Sequence, residues 1–133
     1  MNDTANILIV DDEEVVRLSH LRSLLESGCV AALAVDGVDA IRVMEQRSFD
    51  VILLDIRMPG PDGMDVLKTI KSRWPDSEVI VITGYPSVES AKQAVRLGAF
   101  NYLAKPLDPD DVVKAANDAM TQKRWALRNE FTH

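Results

Sequence analysis

Five polar residues stand immediately behind apolar runs: Asp11 and Asp12 after Ile7 to Val10, Asp55 after Val51 to Leu54, Thr83 after Val79 to Ile82, and Lys105 after Asn101 to Ala104. Three acids, a hydroxyl and an ammonium would meet if those runs were adjacent strands. Carboxylates crowded together repel one another and titrate as a coupled set, so such a cluster calls for a cation. No histidine lies near these positions in the sequence, and Cys29 sits at the far end of its own run. An all-oxygen Mg²⁺ site, with Mn²⁺ as a substitute, therefore fits better than zinc. Taken singly, each acid has a plainer reading. An acid after a strand is commonly a helix cap, and Asp12 before Glu13-Glu14 could serve the helix dipole alone. Independent caps need not converge on one sheet edge, so the combination carries the inference.

The elements that must position these residues are legible in the hydrophobic pattern. Short β-branched runs recur at Ile7 to Val10, Val30 to Val35, Val51 to Leu54 and Val79 to Ile82, with a less apolar one near Asn101 to Ala104. Buried parallel strands read this way. Between them, Val15, Leu18, Leu21 and Leu25, and later Met64, Leu67, Ile70 and Trp74, recur at steps of three or four. Each set predicts a helix with one buried stripe. A second helix is expected from about Val38 to Gln46 and a fourth from about Val88 to Leu97, the latter only weakly amphipathic through Ala91 and Val95. Gly28 and Gly98 read as C-terminal caps, Pro75 stops the third helix, and Asp108-Pro109-Asp110-Asp111 opens the last. Five alternations of strand and helix predict an α/β fold, a parallel sheet with helices on both faces.

After Met120 no turn signal appears, and Leu127 and Phe131 extend the stripe begun by Val113 and Ala116. Residues 121–133 are thus expected to be an extension of the last helix or a linker toward an absent effector; with nothing left to pack on inside a small domain, an interface and a frayed tail are equally open readings. The 133 residues suit one core, 47% of them are hydrophobic, and no apolar run approaches the roughly 20 residues that span a bilayer. The N-terminus lacks the pattern of a secretory signal, so the cytoplasm is the expected compartment. Cys29 is the sole cysteine, which removes disulfides and multi-cysteine zinc sites, and it is expected to be a buried small hydrophobe. A formal charge of -6 argues against direct nucleic-acid binding by this domain. His20 and His133 read as ordinary surface residues.

Over residues 5 to 120 the sequence resembles the receiver domains of two-component response regulators. The stretches that carry the resemblance are Ile7 to Glu13, Leu53 to Gly63, Val81 to Gly84 and Tyr102 to Pro106, in the family's order. The wording of Gly84 to Leu107 is most similar to receivers fused to ATPase-type transcriptional activators of the nitrogen-regulation kind. The resemblance implies a flavodoxin-like (βα)5 fold with strand order 2-1-3-4-5. It makes Asp55 the phosphoacceptor, assisted by Lys105 and Thr83. Asp12 and Asp55 become side-chain ligands of Mg²⁺, Asp11 acts largely through water, and the Arg57 backbone carbonyl completes the ligation. Thr83 and Tyr102 become the switch pair, and the Lys105–Pro106 peptide is expected to be cis. The implied donor is a phosphohistidine on a sensor histidine kinase. The implied output is a changed surface on the fourth helix, fifth strand and fifth helix that controls a downstream step such as transcription, with homodimerisation on phosphorylation as a further expectation. Catalysis extends only to the domain's own phosphorylation and self-dephosphorylation.

The chemistry is sound apart from the family name. A carboxylate attacks a dianionic phosphoryl group poorly unless positive charge, here a cation and Lys105, offsets the charge on the equatorial oxygens. Arg57 and Tyr85, at the variable positions beside the acceptor, cannot orient water as an acid or amide would, so slow self-dephosphorylation is expected. Pro61 also fills a variable loop position. A phosphatase of the haloacid-dehalogenase type would want an acid where Arg57 stands, and a flavin module would want a phosphate-binding loop where Asp11-Asp12 would repel one. A degenerate receiver would lack an acid or the lysine, and none is missing here.

Overall fold

Backbone amides buried with β-branched and leucine side chains must find partners within the sheet. They do so in five parallel strands, β1 (Asn6–Val10), β2 (Val30–Ala34), β3 (Val51–Asp55), β4 (Glu78–Thr83) and β5 (Asn101–Ala104). Alternating with these are α1 (Glu14–Glu26), α2 (Gly37–Gln46), α3 (Gly63–Arg73), α4 (Val88–Arg96) and α5 (Pro109–Thr132). The computed structural model describes residues 4–57 and 62–132, and side chains as far as 128. The expectations for Pro61, Phe131 and His133 fall outside it. The spatial order is β2-β1-β3-β4-β5, the flavodoxin-like arrangement expected.

Two apolar layers clamp the sheet, and strand alternation assigns residues between them. Leu8, Val10, Ile52, Leu54, Val79 and Val81 face α2, α3 and α4 through Ala40, Met44, Leu67, Ile70 and Ala94. Ile7, Ile9, Val51, Leu53, Ile80 and Ile82 face α1 and α5 through Leu24, Val112, Ala115, Ala116 and Ala119. All five residues of β3 are buried, so the strand that ends in Asp55 is the most enclosed element. Helix starts are capped by side chains. Asp36 accepts from the Asp39 N–H at 2.8 Å, Asp62 from the Met64 N–H at 2.9 Å, and Ser87 from the Ser90 N–H at 3.1 Å. Gly28 and Gly98 close α1 and α4 at φ 92° and 98°, a region that side chains avoid.

Three packing expectations require correction. In α1 the predicted stripe is mostly exposed: Val15, Leu18 and Leu25 face solvent, Leu21 is half-buried, and His20 with Leu24 is buried. The helix carries apolar residues nearly all round, so spacing alone could not choose the face. Arg17, on the same side as His20 and Leu24, donates through Nη1 to the Asp11 carbonyl at 2.8 Å and helps fix the rotation. In α4 the buried side chain is Ala94, with Ala91 half-buried and Val95 exposed. Cys29 is half-buried, its sulfur 3.5 Å from the Ser27 hydroxyl.

The stretch after Met120 does find something to pack on. Lys123 Nζ lies 2.6 Å from Asp50 Oδ1, while Asp50 Oδ2 accepts from the Asn6 N–H at 2.8 Å. Burial works against the charged form of Asp50, but the Asn6 amide and the Lys123 ammonium outweigh it and hold the carboxyl below its ordinary value. α5 is thereby tied to the end of the sheet opposite the acid cluster. Among the described residues, no helix is long and apolar enough to cross a membrane.

Candidate functional site

Parallel register brings the strand ends together. Val10 lies beside Leu54 and Ala34, Asp55 beside Ile82, and Thr83 beside Ala104, so Asp11 and Lys105, just past β1 and β5, open onto one edge with Asp55 and Thr83, the last residues of β3 and β4. There Asp11 and Asp55 are buried at 2% and 4% exposure, Thr83 is fully buried, and Asp12 and Glu13 are exposed. Ligand oxygens of Asp11, Asp12, Glu13 and Asp55 all lie within 4.8 Å of one another. Glu13 was read from sequence only as a helix-start acid, and only its placement adds it to the cluster.

Lys105 crosses from β5 to close the group. Its Nζ is 2.8 Å from Asp11 Oδ2, 3.1 Å from Asp55 Oδ2 and 3.5 Å from Glu13 Oε1. The second oxygen of each buried carboxylate accepts from a backbone amide two residues on: Glu13 N–H to Asp11 at 2.9 Å, and Arg57 N–H to Asp55 at 2.9 Å. Both sides of the Lys105–Asp55 pair shift upward, and the cause is an imbalance of charge. Burial, reinforced by the charge of Asp11, pushes the Asp55 carboxyl above its usual value in spite of the Arg57 amide and Lys105. Burial also disfavours the Lys105 ammonium, but two carboxylates outweigh it and raise its pKa. One ammonium is thus well served by several acids, while each acid has only a share of one ammonium.

The remaining predicted residues lie close by. Thr83 Oγ1 accepts from the Tyr85 N–H at 3.0 Å, which leaves its own proton available, and the Thr83 carbonyl accepts from the Lys105 N–H at 2.8 Å. The guanidinium of Arg57 lies over the Tyr85 ring, 4.7 Å from its centroid. Tyr102 is half-buried, and its hydroxyl accepts from the Ser87 N–H at 3.2 Å and shares a hydrogen bond with the Ser90 hydroxyl. The Lys105–Pro106 peptide is cis.

Two features besides Glu13 escaped the sequence. His20, expected at the surface, is buried on α1; burial lowers its pKa, Asp11 opposes that shift and Lys105 adds to it. Its spacing from Leu24 on one helical face was the available signal. Ser87 and Ser90 contact Tyr102 across 15 and 12 residues, a contact that no local pattern announces.

A buried acid pair bridged by a lysine stands at the carboxyl edge of a doubly wound sheet, and sequence comparison names the class of domain built this way. The chain belongs to the response regulator receiver domain family, whose sequence model matches residues 7–117. It is 37% identical over 123 residues to the transcriptional regulatory protein ZraR of Klebsiella oxytoca, covering 92% of this chain and 28% of that one. It is 36% identical over 125 residues to the DNA-binding transcriptional regulator NtrC of Escherichia coli strain K12, covering 92% and 27%. The chain therefore spans little more than a quarter of the curated relatives it matches. Among solved structures, NtrX from Brucella abortus superposes with a TM-score of 0.92 at 29% identity, covering 98% of this chain and 30% of that one. The beryllofluoride-activated receiver-domain dimer of NtrC4 gives 0.84 at 36% identity, covering 89% and 98%. The chain is accordingly a receiver of two-component signalling, similar to those of nitrogen-regulation-type regulators.

Proposed function

We propose that Asp55 accepts a phosphoryl group from a sensor histidine kinase and that the resulting charge resets the surface formed by α4, β5 and α5. The observation that carries this reading is the bridge of Lys105 between Asp11 and Asp55 at 2.8 Å and 3.1 Å. One oxygen of each acid is fixed by an amide, so the reacting carboxylate is held in a single orientation.

The donor set fits Mg²⁺: oxygens only, four acids within reach of one another, and a buried pair short of positive charge. Asp11, Asp12, Asp55 and the Arg57 backbone carbonyl would hold it. Bound there, Mg²⁺, or Mn²⁺ in its place, would supply positive charge to offset that of a phosphoryl group. A carboxylate oxygen of Asp55 forms the new bond to phosphorus as the donor's P–N bond breaks. Lys105 then exchanges one carboxylate contact for a phosphoryl oxygen, and the Thr83 hydroxyl, whose oxygen already accepts from Tyr85, donates its proton to another. Arg57 and Tyr85 present neither an acid nor an amide to attacking water, so the acyl phosphate turns over slowly.

Residues 5–120 form the receiver in this reading, and the helix beyond leads toward an effector that controls transcription in the cytoplasm. Phosphorylation favours pairing of two copies, and DNA contact belongs to other parts of a longer protein. Incubation with Mg²⁺ and a small phosphodonor such as acetyl phosphate tests the core of this. A stable mass gain at Asp55 supports it. Catalytic turnover would indicate a phosphatase instead, and no reaction would indicate a module used only as a binding surface.

A further inference from the structure

Tyr102 is joined to α4 by a closed ring of hydrogen bonds. The Ser90 hydroxyl donates to the Ser87 carbonyl at 3.3 Å and shares a hydrogen bond with the Tyr102 hydroxyl. The Tyr102 oxygen accepts in turn from the Ser87 N–H at 3.2 Å, and the Ser87 hydroxyl caps α4 through the Ser90 N–H at 3.1 Å and lies 2.8 Å from the Ser90 hydroxyl. The cap of α4 and the anchor of Tyr102 are therefore one structure.

Its weight comes from how little else holds α4. Ala94 is the helix's only buried side chain, and Val88 and Val95 are exposed. An alanine buries little area, so one well-made polar contact is a large share of what orders the helix. The same ring is connected to the reacting edge. Tyr85 donates to Thr83 Oγ1, and two residues later Ser87 donates to Tyr102, so a displacement of the Thr83 hydroxyl is delivered through Gly84 to Ser87 onto the Tyr102 contact.

We infer that Ser90 is a positioning residue of the switch, its hydroxyl latching Tyr102 to the first turn of α4 and opposing the loop movement that a phosphoryl group at Asp55 demands. This rests on the phosphoacceptor reading for its regulatory half. Drawing Thr83 toward the phosphoryl oxygens pulls Tyr85 and then Ser87, which loosens the Ser87–Tyr102 bond. With Ser90 holding the other side of the hydroxyl, that loosening is resisted. Without it, the loop follows more easily.

Two measurements on the whole chain separate the contact from its consequence. Amide exchange in α4 of the unliganded protein is expected to quicken about three- to tenfold in Ser90→Ala, the effect of one net hydrogen bond, and at least as much in Tyr102→Phe, which also loses the Ser87 N–H contact. The double variant should fall short of the product of the two single effects, because both remove the Ser90–Tyr102 contact, and Ser90→Thr, which keeps the hydroxyl, should restore the slow rate. Titration with beryllofluoride and Mg²⁺ should show Ser90→Ala binding several-fold more tightly than the native protein, an outcome that mere damage to the fold would not produce. Unchanged exchange in Ser90→Ala, or additive effects of Ser90→Ala and Tyr102→Phe, would overturn the latch. Weaker beryllofluoride binding by Ser90→Ala would overturn its opposing role. Native protein that ignores beryllofluoride would overturn the regulatory half together with the phosphoacceptor reading, and the exchange cycle would still distinguish that failure from failure of the contact.

Discussion

Replacing Asp55 by asparagine should make the metal-free protein more stable, although it removes a residue of the proposed chemistry. Asp55 is 4% exposed, and its carboxylate shares a 4.8 Å neighbourhood with those of Asp11, Asp12 and Glu13, against one ammonium. Burial works against the Asp55 carboxylate more than the Arg57 amide and Lys105 favour it, and the charge of Asp11 adds to the burden. What remains is the cost of burying the charge and the screened repulsion of two exposed acids, together about 1–2 kcal/mol. Asparagine has the same shape and keeps a carbonyl oxygen for the Arg57 N–H; its amide nitrogen takes the place of Oδ2, so the Lys105 ammonium gives up that contact and keeps those to Asp11 and Glu13. For a chain of 133 residues this raises the melting temperature by roughly 3–6 °C. Magnesium should then reverse the order, because the native protein gains about 2.7 kcal/mol at a hundredfold excess over its dissociation constant while the variant, short of one ligand, gains less. Thermal melts of both proteins across a magnesium series, starting in chelator, provide the assay. A variant that melts below the native protein in chelator, or equal gains from magnesium in both, would refute this account of the charge imbalance.

Two further perturbations test the scaffold. A Cβ at Gly63 would stand 2.4 Å from Ile56 Cα and 2.7 Å from the Ile56 carbonyl, backbone that cannot yield, so Gly63→Ala should cost about 3 kcal/mol in a denaturant melt and slow phosphoryl uptake by shifting the neighbour of Asp55. At the other end of the sheet, Lys123→Met should cost about 1 kcal/mol at neutral pH, between the values for exposed and buried ion pairs. The folded protein holds Asp50 below its ordinary 3.8, so this contribution is fully present above that value and is lost as acid protonates the folded carboxyl. Melts of the two proteins should therefore converge at the acid end, and a gap that widened on acidification would contradict the pairing.

The sequence shows the reacting edge more clearly than it shows the helices, for a geometric reason. A parallel strand buried on both faces is a continuous apolar run, and the residue that ends it must lie at the carboxyl edge, so Asp11, Asp55 and Thr83 were placed by one-dimensional information. Helix rotation is different. α1 offers Val15, Leu18 and Leu25 on one side and Leu24 with His20 on another, and the choice depends on α5 and on the Arg17 bond to the Asp11 carbonyl. Long-range polar contacts are hidden for a similar reason, since Lys123 with Asp50 and Ser90 with Tyr102 join residues 73 and 12 apart with no periodic signal.

These two kinds of residue also divide the work of a switch. β3 is buried throughout and gripped from both faces, so the charge imbalance around Asp55 cannot relax by moving the strand that carries it. In the proposed switch, relief comes from partners that can move: a cation, a phosphoryl group that recruits Lys105, or the loop attached to Thr83. Of the helices on that edge, α4 has the thinnest packing and is held at its start by hydroxyls rather than by apolar area. Hydrogen bonds of that kind are made and broken at small net cost, whereas the layer around Leu67 and Ile70 is not. In the proposed switch the rigid sheet concentrates electrostatic strain at one edge, and the weakest attachment beside that edge sets where the strain is expressed.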